Sequence, residues 1–260
     1  MLGLKKRAPD FLSLTALVVG AMIPDLSYYY PLPFLEHFRG PSLGLHYLHS
    51  IHGALLVGMP AGFFICCFVF WVRKTAVELF GARERRFLQP LANRALQQTP
   101  RAFVVLLFSI LIGEASHIFW DSFTHRYGWF VKTFPILQRP LWWPDSSVYN
   151  LLQHVSDVVG LAVLFLLWMR WRKRQGVATK ELSDPGRRVR PFFWIMQFAF
   201  ALLFAAHFLD RQEFLSITLI NWEGVLMPIT IHFGAALLGA LAFSLVVLKL
   251  TGIGADLKSR

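Results

Sequence analysis

The sequence predicts an all-α, polytopic membrane protein with about six transmembrane helices and both chain ends in the cytoplasm. Three observations carry this. Of 260 residues, 55% are hydrophobic and only 16% charged, whereas a soluble domain carries about 25% charged residues. Six apolar stretches are long enough to cross a hydrocarbon core of ~30 Å at ~1.5 Å rise per residue. Basic residues gather in alternate loops, the pattern that membrane insertion with its positive side inward produces.

The stretches fall at about 11–30, 51–72, 102–123, 150–169, 191–210 and 225–248, within one helical membrane domain over residues 1–250, followed by a cytoplasmic tail, 251–260. The first follows Lys5-Lys6-Arg7 and is interrupted by Pro24-Asp25. It reads as a helix kinked at its outer end, or as one that enters and returns. A cleaved signal peptide has similar flanks, but no A-x-A site follows Met22, which favours retention. The second stretch and the long Leu/Ala/Gly run ending at Lys249 are the plainest spans.

Loop charges orient them. Residues 73–101 hold Arg73, Lys74, Arg83, Arg85, Arg86, Arg94 and Arg101, and residues 170–190 are as basic. By contrast, 31–50 holds only Arg39 and 211–224 only Arg211, while 124–149 is intermediate with Arg126, Lys132 and Arg139. The basic loops are therefore expected in the cytoplasm. The net charge of +11 belongs to this pattern and does not point to nucleic acid. Cys66 and Cys67 are adjacent in an apolar run, about 100° apart on a helix, so neither a structural disulfide nor a thiolate metal motif is expected. Tyr28-Tyr29-Tyr30 and Trp142-Trp143 fall at the outer headgroup level, where amphipathic rings collect.

The histidines test this topology independently, because it rests on lysine and arginine alone. His37, His46, His49, His52, His117, His125, His154, His207 and His232 all fall in outer loops or the outer halves of spans. Ionisable groups in a membrane segment are costly and point to function by default. In residues 113–125, Glu114, His117, Asp121, Thr124 and His125 share an arc of about 100° on one helix face. His46, His49 and His52 repeat every third residue at the entrance to span two, and His154/Asp157 and His207/Asp210 are i,i+3 pairs at the outer ends of spans four and five. Imidazole with carboxylate suits a divalent metal ion, zinc or manganese foremost. An open coordination position would make a hydrolytic nucleophile of bound water. His117, Asp121 and His125 are the foremost candidates for metal or catalytic duty, with Asp25, His49, His46, His52 and His154 beside them, and Glu114 a candidate general base, proton relay or histidine partner. Packing offers a blander account of each, through interhelical hydrogen bonds. Ser116 and Ser122 are expected to bond back to their own helix. No G-x-S-x-G, P-loop, G-x-G-x-x-G or H-E-x-x-H is present.

Pro24-Asp25, His49-Ser50 and Gly113-x-x-Ser116-His117-x-x-x-Asp121-x-x-Thr124 resemble the bacterial membrane-bound metal-dependent hydrolase group. The run Ser116-His117-x-x-Trp120-Asp121-x-x-Thr124-His125, with Gln153-His154, is more closely similar to a family of bacterial multi-pass membrane proteins described only as a domain of unknown function. The resemblance implies a bacterial inner-membrane protein in which Asp25, His49, His117 and Asp121 bind metal. The chain departs from the wider group at Leu48, where a threonine is usual, at Leu26-Ser27-Tyr28, where a second acid and a histidine are usual, and in the lack of a histidine near its N-terminus. The expected function is hydrolysis of a phosphoester or a related bond at the outer membrane face, with a lipid or envelope precursor as substrate and the bilayer as constant partner. Three alternatives stand beside it: a transporter or proton-coupled sensor, a haem-binding protein with paired axial histidines, and a structural or assembly protein.

Overall fold

A computed structural model describes residues 12–26, 47–93, 99–142, 147–174, 189–211 and 222–251, the side chains of 82–83, 174, 189, 207–211 and 222–230 excepted. Among these residues the protein is all-helical. The helices are α1 (Leu14–Met22), α2 (Ile51–Glu78), α3 (Ala82–Ala92), α4 (Pro100–Thr124), α5 (Trp129–Thr133), α6 (Val148–Arg174), α7 (Val189–Arg211) and α8 (Trp222–Thr251). They form two compact units, one from residues 1–24, 47–63 and 100–181, the other from 25–46, 64–99 and 182–260.

Four helical stretches among the described residues are long and apolar enough to cross a membrane: Ile51–Glu78, Pro100–Thr133, Val148–Lys173 and Ile231–Thr251. Arg190–Ala206 is a shorter apolar helix. Expected span one differs most. Its regular helix is the nine residues of α1, about 14 Å long at 1.5 Å per residue and so about half a hydrocarbon core. Pro24, without a backbone N–H, follows directly.

In the first unit α1 lies along α4. Buried Ala16, Val19, Gly20 and Ile23 make an i, i+3, i+4, i+7 stripe, while Leu14, Val18 and Met22 are exposed on the other side. Ser13 caps the helix, its hydroxyl accepting from Ala16 N–H at 3.4 Å, and its own N–H donates to Ser109 Oγ at 2.8 Å. At the crossing, a side chain on Gly20 would collide with the Ile110 carbonyl, and one on Gly113 with the Leu17 carbonyl. The two glycines bring the backbones together, as small residues do between membrane helices. Ser13 beside Ser109 and Leu17 beside Gly113 make α1 and α4 parallel. α6 is tied to α4 by Trp120 Nε1–H donating to Ser156 Oγ at 3.3 Å.

In the second unit, α7 and α8 pack through Ala201, Ala205, Ala236 and Leu245, with Gln197 Nε2 donating to Ser244 Oγ at 2.7 Å. The basic stretch after span two, read as a loop, contains α3. Its Arg, Glu, Leu and Gln content favours helix, and Arg85 pairs with Glu78 at 3.0 Å. Arg73 Nε donates to the Ala92 carbonyl at 2.8 Å, anchoring the end of α3. α2 and α6 also run on through Arg73-Lys74 and Arg170–Arg174. Long basic side chains reach water without ending a helix, so the helices exceed the apolar windows.

Candidate metal centre

Two helix ends and one turn build the centre. His49 sits in the turn just before α2, whose cap is Ser50: the hydroxyl accepts from Gly53 N–H at 3.1 Å and donates to the Tyr47 carbonyl at 2.7 Å. The turn folds tightly over the helix start, because a side chain on Gly53 would strike the Tyr47 carbonyl. His117 and Asp121 occupy successive turns of α4 on one face. Asp25 follows Pro24 just beyond α1.

One ligand atom from each of Asp25, His49, His117 and Asp121 lies within 4.8 Å of the other three. The nitrogens His49 Nε2 and His117 Nε2 each approach Asp121 Oδ2 to 3.1 Å. Their rings meet edge to face at 5.6 Å between centroids. All four residues are half-buried, and the Asp121 side chain is 17% exposed.

The tautomer of His117 gives this geometry its meaning. Its Nδ1 lies 2.8 Å from the Ala21 carbonyl oxygen on α1. A carbonyl only accepts, so Nδ1 carries the proton, and in the neutral ring Nε2 presents a lone pair. That lone pair faces the Asp121 oxygen at 3.1 Å, an acceptor against an acceptor. A cation between them, or a second proton on the ring, turns this repulsion into attraction. The Ala21 bond is also what a ligating histidine needs, fixing the ring and raising its basicity.

Two imidazoles and two carboxylates fit zinc or manganese. Asp25 and Asp121 would balance a divalent charge.

The other expected residues are placed differently. His125 ends α4 with its side chain 44% exposed and Nδ1 3.6 Å from Asp121 Oδ1. Thr124 Oγ1 lies 3.2 Å from the same nitrogen. His154 is exposed on α6, outside the four-residue group. His52 is exposed on the first turn of α2, since the three-residue repeat breaks at the turn where His49 sits. His232 is half-buried in the second unit. His37, His46, Tyr28–Tyr30 and Trp143 lie outside the described residues, as do the side chains of His207 and Asp210. Ser116 and Ser122 bond back to the carbonyls of Gly113 and Phe119 at 2.7 and 2.6 Å. Glu114 is fully buried one turn before His117.

Sequence reasoning missed the Ala21 carbonyl and the Gly20–Gly113 crossing that brings it to His117. The recoverable signal was a glycine four residues before a histidine on a polar helix face, matched by a glycine one residue before the acceptor.

Nothing matches the chain among curated proteins or solved structures. A family profile described as Domain of unknown function (DUF4184) does match, over residues 1–248. The chain belongs to that family.

Proposed function

We propose that this protein is a metal-dependent hydrolase of the bacterial inner membrane, with about six spans, cytoplasmic termini and its metal centre at the extracytoplasmic face. The observation that carries the reading is the convergence of His49 Nε2 and His117 Nε2 on one oxygen of Asp121, at 3.1 Å each, with the His117 ring held by Ala21. Asp25, His49, His117 and Asp121 would hold one divalent ion, zinc or manganese. Bound there, the ion would act as a Lewis acid and lower the pKa of a coordinated water.

The chain's own groups supply the rest. The Ala21 carbonyl keeps the His117 lone pair turned to the centre. His125, more exposed than the ligands and close to Asp121, is placed to carry protons between the site and water. Its neighbourhood in the chain is aromatic: Phe123 stacks on Phe130 at 3.8 Å, and Tyr127 and Trp129 are exposed. Such rings favour the headgroup level of a bilayer, which supports a phosphoester or lipid-linked substrate presented at the lipid–water boundary.

Elemental analysis of the detergent-purified protein, with its absorption spectrum, tests this first. One colourless ion per chain is expected, lost from both His117→Ala and Asp121→Ala while membrane insertion is unchanged. Hydrolysis of phosphoester lipids should disappear with it. Stoichiometric metal retained in both variants would sink the ligand assignment, and a Soret band would replace it with haem. A metal-free protein in which His117 and Asp121 form only an ion pair would return the cluster to packing.

A further inference from the structure

The stretch after α4 runs against the charge pattern of the rest of the chain. Residues 124–149, expected on the outer face, hold Arg126, Lys132 and Arg139, and no acidic residue occurs between Asp121 and Asp145. Basic residues favour the inner side of a membrane, so three of them on the proposed outer side call for a use there.

The segment is a built element. The chain leaves α4 through Gly128, where a side chain would collide with the Ser122 carbonyl, and turns into α5. Val131 is fully buried. Phe130 stacks on Phe134 as well as on Phe123, which pins α5 to the end of α4. A 3₁₀ turn, Pro135–Gln138, follows, tied back by Gln138 Nε2 donating to the Val131 carbonyl at 2.7 Å. On this shelf all three cations are exposed, and so are Trp129, Phe134 and Ile136. The Lys132 ammonium lies 5.7 Å from the centre of the Tyr127 ring, close enough for cation–π attraction.

We propose that this shelf, residues 126–142, binds the headgroup of an anionic phospholipid in the outer leaflet. Guanidinium and ammonium groups answer a phosphate with charge-assisted hydrogen bonds. The exposed rings and Ile136 suit the glycerol and upper acyl region, as apolar side chains of interfacial segments do. An acidic protein would satisfy the three cations and leave the large apolar side chains in water. A zwitterionic lipid would cover those side chains and leave the positive charge unanswered. A lipid with net negative charge meets both. The proposal rests on the reading above for the face on which the shelf lies; with a hydrolytic centre, it would bring a phosphate-bearing headgroup to the segment that His125 opens.

The test uses the full-length protein carrying Cys66→Ser, Cys67→Ser and Thr133→Cys, with a fluorophore attached at residue 133, in phosphatidylcholine vesicles. A small fraction of headgroup-proximal spin-labelled phosphatidylglycerol, or of equally labelled phosphatidylcholine in a parallel sample, reports by quenching which lipid lies beside the shelf. Phosphatidylglycerol should be enriched there about fivefold or more, the effect of one well-placed basic side chain at an anionic surface. Arg126→Gln, Lys132→Gln and Arg139→Gln together should return the ratio to about one. Arg172→Gln with Lys173→Gln, at the basic end of α6, removes charge elsewhere and should leave it unchanged. Equal quenching by the two lipids would overturn the proposal, and so would the absence of quenching by either, which would put the shelf in water. An enrichment that survives the triple substitution would also sink it, as would one lost equally in the α6 control, which would reduce it to net charge. The readout needs neither metal nor turnover, so a failed hydrolase reading leaves it standing.

Discussion

At the scale of single residues, the candidate centre depends on how the His117 ring is held. The Ala21 carbonyl holds the proton of His117 on Nδ1, so a second proton and the proposed metal would compete for Nε2. Metal affinity should therefore fall as pH drops, because a ligating histidine must be neutral. The sign is fixed: acid favours the protonated, metal-free form. A competition titration with a zinc chelator at pH 7.5 and pH 5.5 should show at least about a tenfold loss at the lower pH, and equal affinities would argue against histidine ligation. Ser50 offers a second handle, since its hydroxyl caps α2 beside His49. Ser50→Ala should cost about 1 kcal/mol of stability and weaken metal binding with it, measured by unfolding with and without zinc. Much of this was legible in the sequence, because histidine and aspartate spacing along α4 already puts His117 and Asp121 on one face. The Ala21 bond was not. A backbone carbonyl leaves no trace in residue identity, and its role depends on a contact between segments about a hundred residues apart.

At the scale of elements, the centre is a product of the α1–α4 crossing. Gly113→Val would force the backbones apart at Leu17 and Ala21 and move the carbonyl from His117. Overpacking of this kind costs about 1–3 kcal/mol, and loss of a bond that orients a metal-ligating histidine costs about 10–100-fold in affinity. Thermal unfolding and zinc titration of the variant should show both; wild-type affinity would mean that α1 does not position the ring. The elements were legible where hydrophobicity decides them, as in α2, α4, α6 and α8. They were less so where it does not. Within the apolar run of residues 11–30, α1 covers Leu14–Met22, and the interruption expected at Pro24-Asp25 falls just beyond its end. The charge of residues 73–101 concealed α3, because the same arginines that mark a cytoplasmic loop are good helix formers.

At the scale of the whole molecule, charge asymmetry and the site should agree on one face. In a background of Cys66→Ser and Cys67→Ser, a cysteine at Arg126 should react with a membrane-impermeant maleimide added to intact cells with a permeable outer layer. One at Arg86 should react only after lysis. Labelling in the opposite sense would invert the proposed orientation and put the metal centre on the cytoplasmic side. The arrangement of α1 against α4 also bears on how the protein is made. Asp25 and His49 leave the ribosome long before His117 and Asp121, which follow His49 by roughly seventy residues, about 4–14 s of synthesis at ordinary elongation rates. Until α4 has entered the bilayer and settled against α1, neither the second imidazole nor the carbonyl that aims it is in place. The nascent first half therefore has no complete site with which to take an ion from the cytoplasm. If the centre holds the proposed ion, metallation would follow insertion, and the ion would be drawn from the compartment that the finished centre faces.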